Sequence, residues 1–234
     1  MSIKENIQEI RQRISDAAAA SGRSAEDIIL VGAAKMNPAE TVQEAIAAGI
    51  DAIGENRVQE LMDKHAQNAY IGAPLHLIGH LQKNKVKYVV GVVDLIESVD
   101  SEELLRLIAA RAEKLGIVQD ILLEINIAGE DAKSGLSPEE LPAVLRAAAD
   151  CPAIRIRGLM AIPPISYERG ENRPYFARMH QLFVDIKEKK YDNVTMDFLS
   201  MGMSGDFEDA ILEGANMVRI GSAIFGARMY PVRL

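Results

Sequence analysis

Short apolar runs alternate with helix-length stretches about eight times along this chain, and few architectures accommodate that order. The strand candidates lie at 28–34, 51–54, 75–79, 93–98, 120–127, 154–160, 195–200 and 217–221. Helix candidates fall between and after them, near 38–48, 56–68, 82–91, 101–115, 137–149, 172–189, 206–213 and 222–228. Several strand candidates are continuous apolar runs, as expected where helices cover a parallel sheet. About eight β-then-α units predict a (β/α)8 barrel; a doubly wound open sheet is the alternative that periodicity does not separate from it. An additional helix precedes the first strand, because Ile3, Ile7, Ile10 and Ile14 recur at helical spacing over 3–20.

Helix punctuation agrees with this division. Ser137-Pro138-Glu139-Glu140 offers an N-cap serine, a proline at the first helical position and acids in the first turn. Ser101-Glu102-Glu103 opens another helix in the same way, and Gly49 and Gly116 stand where C-caps are needed. No Ser/Gly linker or shift in composition interrupts the pattern, so the expectation is one domain over 1–234. The charge of −8 argues against a nucleic-acid or acidic-membrane partner, although a local pocket can still be basic. The single cysteine, Cys151, excludes an internal disulfide and a Cys-rich zinc site. The N-terminal segment carries Lys4, Glu5 and Glu9 with no apolar core of a signal peptide, and no run reaches the ~20 apolar residues of a membrane span. A cytoplasmic protein is expected.

Lys35 ends the apolar run Ile28-Ile29-Leu30-Val31-Gly32-Ala33-Ala34 and is followed by Asn37-Pro38, a turn signal. A lysine at the carboxyl end of a barrel strand lies where such folds build active sites. Burial disfavours the ammonium, and a neutral amine can attack an aldehyde to form a Schiff base. A lysine that snorkels to water at a strand end is the alternative.

Two later junctions are rich in glycine and serine: Ser200-Met201-Gly202-Met203-Ser204-Gly205 and Gly221-Ser222, each between a strand and a helix. Backbone N–H groups at such junctions, with a serine hydroxyl, suit an anion, and phosphate sites recur after strands 7 and 8 of barrels. Tight turns are the alternative for each junction taken singly. In a closed barrel strand 8 pairs with strand 1, which would set Arg219 and Gly221 beside Lys35. Arg219, inside an apolar strand, needs an acceptor. Either a carboxylate or a pyridine nitrogen would serve, the latter being an arginine's role beside pyridoxal phosphate (PLP).

Taken in order, Val31-Gly32-Ala33-Ala34-Lys35, Gly54-Glu55-Asn56-Arg57-Val58-Gln59-Glu60 and His76-Leu77-Ile78-Gly79-His80 resemble the PLP homeostasis protein family. So do Ile125-Asn126-Ile127 with Lys133-Ser134-Gly135, Gly158-Leu159-Met160-Ala161, Leu199-Ser200-Met201-Gly202-Met203-Ser204 and Val218-Arg219-Ile220-Gly221. The resemblance covers nearly the whole chain. It implies the alanine racemase barrel, a fold-type III PLP-binding TIM barrel, with PLP joined to Lys35. It also implies Ser200, Ser204, Gly221 and Ser222 around the phosphate, Arg219 facing the pyridine nitrogen, and Asn56 at the ring edge. One departure is local: family members often follow the lysine with Thr-Lys-Pro, where this chain has Met36-Asn37-Pro38.

Two classes of function follow from the resemblance. One is a non-catalytic protein that stores, buffers or delivers PLP, as a monomer, with transient contact to PLP-dependent apo-enzymes. The other is an amino-acid racemase-like enzyme on the same barrel. Racemisation needs an acid/base group on both faces of the cofactor, and racemases draw one from a further β-domain for which this chain leaves no room. Tyr230 is the only substitute offered, and the carrier reading is preferred. A class I aldolase on a sugar phosphate also uses a barrel lysine, but gives Arg219 no heterocycle to face. Secondary candidates are assigned structural roles: His76 and His80 are poorly placed for a metal pair, His65 and His180 belong to helix surfaces, and Lys64, Lys83, Lys85 and Lys87 form a solvated basic patch. His80 and Lys133 are kept as contacts near the pocket mouth. Met201 and Met203 are expected to pack beside the phosphate loop.

Overall fold

The computed structural model describes residues 1–130 and 134–226. Its strands, β1 (Ile29–Ala33), β2 (Ala52–Glu55), β3 (Leu75–Leu77), β4 (Leu95–Val99), β5 (Gln119–Glu124), β6 (Ile154–Met160), β7 (Val194–Ser200) and β8 (Met217–Ile220), form a closed parallel barrel in chain order. Closure is made by β8 pairing with β1, with Val31 opposite Arg219 and Gly32 opposite Ile220. The barrel is therefore realised, and the open-sheet alternative is not.

The helices are α1 (Ile3–Ala20), α2 (Ala39–Ala47), α3 (Val58–His65), α4 (Val86–Val89), α5 (Glu102–Leu115), α6 (Leu141–Ala148), α7 (Arg173–Lys189), α8 (Phe207–Leu212) and α9 (Ser222–Phe225). Two begin four residues later than the sequence-based bounds, α4 and α6. Residues 83–85 form a 3-10 turn before the short α4. Helix α6 begins four residues beyond Ser137. Pro142 has no N–H to donate to the carbonyl of Pro138, so the helix starts where that proline falls in its first turn. Ser137 and Glu140 instead close a turn of their own, each backbone N–H donating to the other's side chain at 2.8 and 3.3 Å. Ser101 does cap α5, accepting from the Leu104 N–H, and Gly116 ends it in the left-handed conformation.

At the amino ends of the strands a residue preceding one strand caps its neighbour. Asp51 accepts the N–H of Leu30, Asp94 that of Leu75, and Asn216 that of Leu199, each at 2.7 Å. Backbone groups that the barrel's stagger leaves without a ladder partner are satisfied in this way. At Gly158, φ is +150° and an added Cβ would lie 1.8 Å from the Phe198 carbonyl oxygen, so only glycine lets β6 and β7 approach across their register shift.

Helix α1 buries Ile7, Ile10 and Ile14, each worth roughly 1.5–3 kcal/mol. It packs against α8 and α9. Arg13 stacks over the Phe207 ring and pairs with Glu208, while Asn6 Nδ2 donates to the Ile224 carbonyl. The extra helix thus braces the two segments that follow β7 and β8. Among the described residues no helix is long and apolar enough to cross a membrane.

Candidate functional site

A cavity of about 230 Å³ opens at the carboxyl ends of β1, β7 and β8. Lys35, Asn37, Ser204, Arg219, Gly221 and Ser222 are in its wall. Barrel closure thus brings together five of the seven residues singled out from the sequence. The Cys151 thiol, by contrast, is buried away from this wall, and burial pushes its pKa up.

Lys35 lies two residues beyond β1, half-buried, in a turn closed by the Asn37 N–H on the Ala34 carbonyl at 3.1 Å. Asn37 Nδ2 donates to the Lys35 carbonyl at 3.1 Å. Met36 takes φ +64°, a costly conformation for a residue with a Cβ, so the turn requires external support. That support comes from α3. Glu60 accepts the Met36 N–H at 2.5 Å, and Lys64 Nζ donates to the Ala34 carbonyl at 2.9 Å. Lys64 also donates to Glu55 and Glu60, both at 2.7 Å, and Tyr70 donates to Glu55 at 3.1 Å. Lys64 is therefore a buried structural ion, not part of a solvated basic patch. Burial is the largest influence on Glu55 and holds its carboxyl above the usual range despite Lys64. Periodicity conceals this cluster, although Glu60 and Lys64 at i, i+4 on one helix were a readable signal.

At the phosphate end, Ser204 and Ser222 flank the cavity, and the Ala223 N–H lies 3.5 Å from Ser204 Oγ, linking the two junctions. Among the described residues the backbone N–H groups of Ser204, Gly205 and Ser222 donate no hydrogen bond. Ser204 is half-buried, and Gly205 and Ser222 are exposed residues of the cavity wall. Three such donors beside two serine hydroxyls suit an anion with several acceptor oxygens. Gly202, at φ +94°, lets this loop lie against α8, since an added Cβ would meet Ala210 Cβ at 2.6 Å and Phe207 Cα at 2.9 Å.

Two residues are placed otherwise. Ser200 is fully buried inside the barrel, outside the cavity wall. Its hydroxyl donates to Glu97 Oε2 at 2.6 Å and accepts from Arg219 at 2.5 Å, which leaves it committed away from any phosphate. Asn56 follows β2 and is also outside the wall, with its Oδ1 buried and without a hydrogen-bond partner. Of the secondary candidates, His76 pairs with Glu97 and His80 with Asp100, Met203 lines the cavity and Met201 is in the core. Lys133 and Tyr230 lie outside the described residues.

Arg219 lies in the barrel interior and in the cavity wall at once. It donates to Ser200 and, at 2.8 Å, to the Ala161 carbonyl, with Glu97 Oε2 at 3.8 Å as counter-ion. A carboxylate partner and a cavity-facing position therefore coexist. Burial lowers the pKa of the guanidinium, and the charges of Glu97, Glu124 and Asp206 oppose that shift. Burial pushes Glu97 up, but His76, Arg219 and Ser200 together outweigh it and hold the carboxyl below its usual range. Glu97 went unrecognised in the sequence, although an acid inside Leu95-Ile96-Glu97-Ser98-Val99 marks a buried charge in need of a partner.

The fold is a closed parallel barrel of the alanine racemase N-terminal type, with Lys35, the buried Arg219 and the two Gly-Ser junctions converging at one mouth. Residues 2–229 match the model of the alanine racemase N-terminal domain family. The pyridoxal phosphate homeostasis protein of Aquifex aeolicus is 41% identical over 230 residues, 98% of this chain and 100% of that protein. The protein of that name from Escherichia coli K12 is 41% identical over 232 residues, covering 97% of each chain. The chain belongs to the pyridoxal phosphate homeostasis protein family. Among solved structures, PipY of Synechococcus elongatus PCC7942 with PLP bound superposes with a TM-score of 0.83 at 31% identity, over 96% of this chain and all of that one. Alanine racemase from Clostridium difficile 630 shares the fold at a TM-score of 0.74 and 17% identity, and this chain spans 58% of its length.

Proposed function

We propose that this protein binds pyridoxal 5'-phosphate within a single barrel domain, 1–234, and serves intracellular PLP homeostasis by storing, buffering or delivering the cofactor. The observation that carries the reading is the convergence of Lys35, Arg219 and the unused N–H groups of Ser204, Gly205 and Ser222 on one cavity. PLP offers an aldehyde to an amine, a phosphate to a cradle and an electron-withdrawing pyridine ring to whatever is attached. Lys35 supplies the anchoring amine. Ser204, Gly221 and Ser222 hold the phosphate, and Arg219, a donor-only group, faces the ring nitrogen. Asn56, whose buried Oδ1 has no hydrogen-bond partner, is the proposed contact at the ring edge, and Ser200 holds Arg219 from behind.

A carrier is favoured over a racemase because Lys35 and Arg219 are the ionisable side chains in the cavity wall among the described residues. Proton transfer on both faces of a substrate would need a second acid/base group. PLP-dependent apo-enzymes are the proposed recipients, and a cytoplasmic monomer without nucleic-acid or membrane partners is the proposed form.

Absorption spectra of the purified protein before and after borohydride, followed by peptide mapping, test the reading. A yellow band lost on reduction, with the cofactor's mass on the Lys35 peptide, is expected. A colourless protein that takes up no added PLP would refute it. Stereospecific exchange of the α-proton of D- or L-amino acids in deuterated water, at enzymatic rates, would replace the carrier with an enzyme.

A further inference from the structure

Small parallel barrels are filled by layers of apolar side chains. This one has such a layer, including Leu95 and Met217 with Phe198 packed against it. Two positions further along the same strands, on the same face, stand Glu97, Ser200 and Arg219. They form a continuous chain. Arg219 donates to Ser200 Oγ at 2.5 Å, Ser200 donates to Glu97 Oε2 at 2.6 Å, and His76 Nδ1 meets Glu97 Oε1 at 2.7 Å. Relative exposures of 4%, 0%, 0% and 6% for Arg219, Ser200, Glu97 and His76 place it wholly inside the protein.

The donor inventory gives the chain one direction. A guanidinium only donates and an ionised carboxylate only accepts. The single hydroxyl proton of Ser200 must then point to Glu97, and His76 must carry its proton on Nδ1. Burying such ions is expensive, and a well-packed apolar layer would serve the fold as well. The two ends of the chain are where it meets open space. Arg219 ends it in the candidate site. His76 ends it in the wall of a second cavity, about 260 Å³, at the amino ends of the strands, with Leu95, Phe198, Met217 and Asp94 around it.

We infer that His76, Glu97 and Ser200 are positioning residues that hold the Arg219 guanidinium in its orientation and charge toward the cofactor ring, with the far end of the relay open to the opposite mouth of the barrel. The inference rests on the proposed binding of PLP by this site. Glu97 supplies the counter-charge, Ser200 transmits it by a fixed hydrogen bond, and His76 keeps the Glu97 carboxylate turned toward Ser200.

The test is titration of PLP into wild type, Glu97→Gln, Ser200→Ala and His76→Ala, read as the absorption maximum and the Kd. Each variant is expected to displace the band and to weaken uptake about three- to tenfold, the range of one or two lost hydrogen bonds. Imidazole is expected to return the His76→Ala spectrum toward wild type, entering by the second cavity, and to leave Glu97→Gln unchanged. Wild-type band and affinity in the variants would overturn the relay, as would a His76→Ala shift that imidazole does not reverse. If Glu97→Gln does not fold, Ser200→Ala and the imidazole arm decide the matter. Wild type that takes up no PLP would instead refute the binding reading itself, and the relay with it.

Discussion

Lys64 Nζ lies 2.9 Å from the carbonyl oxygen of Ala34, the residue immediately before the candidate anchor Lys35. One residue after that anchor, the Met36 N–H is held by Glu60, which Lys64 also contacts. The backbone on both sides of Lys35 is therefore held from α3, through ions that never enter the cavity wall. Lys64→Met is expected to strand the buried Glu55 carboxyl and cost about 3–5 kcal/mol. Urea denaturation should show the loss, and PLP uptake should slow in whatever folded protein remains. An unchanged midpoint would remove the network from the account.

Lys35→Ala should abolish the borohydride-trapped adduct while leaving weak, reversible binding through the phosphate cradle. Arg219→Ala should retain the adduct on Lys35 with a displaced absorption band. Mass spectrometry of the reduced proteins distinguishes the two, and an unaltered band in the Arg219 variant would take that residue out of the site.

Ser204→Ala and Ser222→Ala each remove one hydroxyl from the cradle but leave its backbone donors. About three- to tenfold weaker PLP binding is expected for each. Inorganic phosphate should compete less well in the same proportion. A loss of PLP affinity with no change in phosphate competition would place these hydroxyls elsewhere.

The Arg13–Glu208 pair gives α1 a pH-dependent contribution. The hydrogen bond from Arg13 is the largest influence on Glu208 and, with the charge of Arg13, holds its carboxyl below the ordinary 4.5 against a smaller effect of burial. A folded pKa below the unfolded one gives stability that is present above pH 4.5 and is lost as pH falls through the folded value. Both side chains are about one-third exposed, so screening keeps the effect below about 1 kcal/mol. Glu208→Gln should lower the urea midpoint at pH 7 and match wild type near the acid end of the titration. A gap that is the same at both ends would show that the carboxylate charge is not involved.

Gly158→Ala tests the close approach of β6 to β7. An added methyl would meet backbone, which has no rotamer to yield, in a conformation that disfavours side chains. A loss of about 3 kcal/mol or more is expected, seen as a lower Tm or insoluble protein. A variant as stable as wild type would mean that the two strands separate without cost.

The order of strands and helices was legible in the sequence because each strand's apolar run and each helix's spacing is a local property of the chain. Lys35, Arg219 and the Gly-Ser junctions were legible because an ionisable residue at a strand end, or a glycine before a helix, departs from the surrounding pattern. The sequence around Ser200, a junction of phosphate-binding type, carries no sign that its hydroxyl is claimed by Glu97 on the far side of the barrel. Lys64 looked like a solvated cation because spacing on α3 does not reveal that this face meets Glu55 and Ala34.

By itself, then, the sequence determined the barrel's element order, a candidate anchor in Lys35 and the resemblance to a cofactor-binding family. Tertiary structure alone decided which buried charges meet. Glu97 and Ser200 are separated by 103 positions, and Arg219 reaches Val31 only when β8 returns to β1. Such pairings depend on closure of the sheet, and a buried ion's partner is chosen by distance through space, not along the chain.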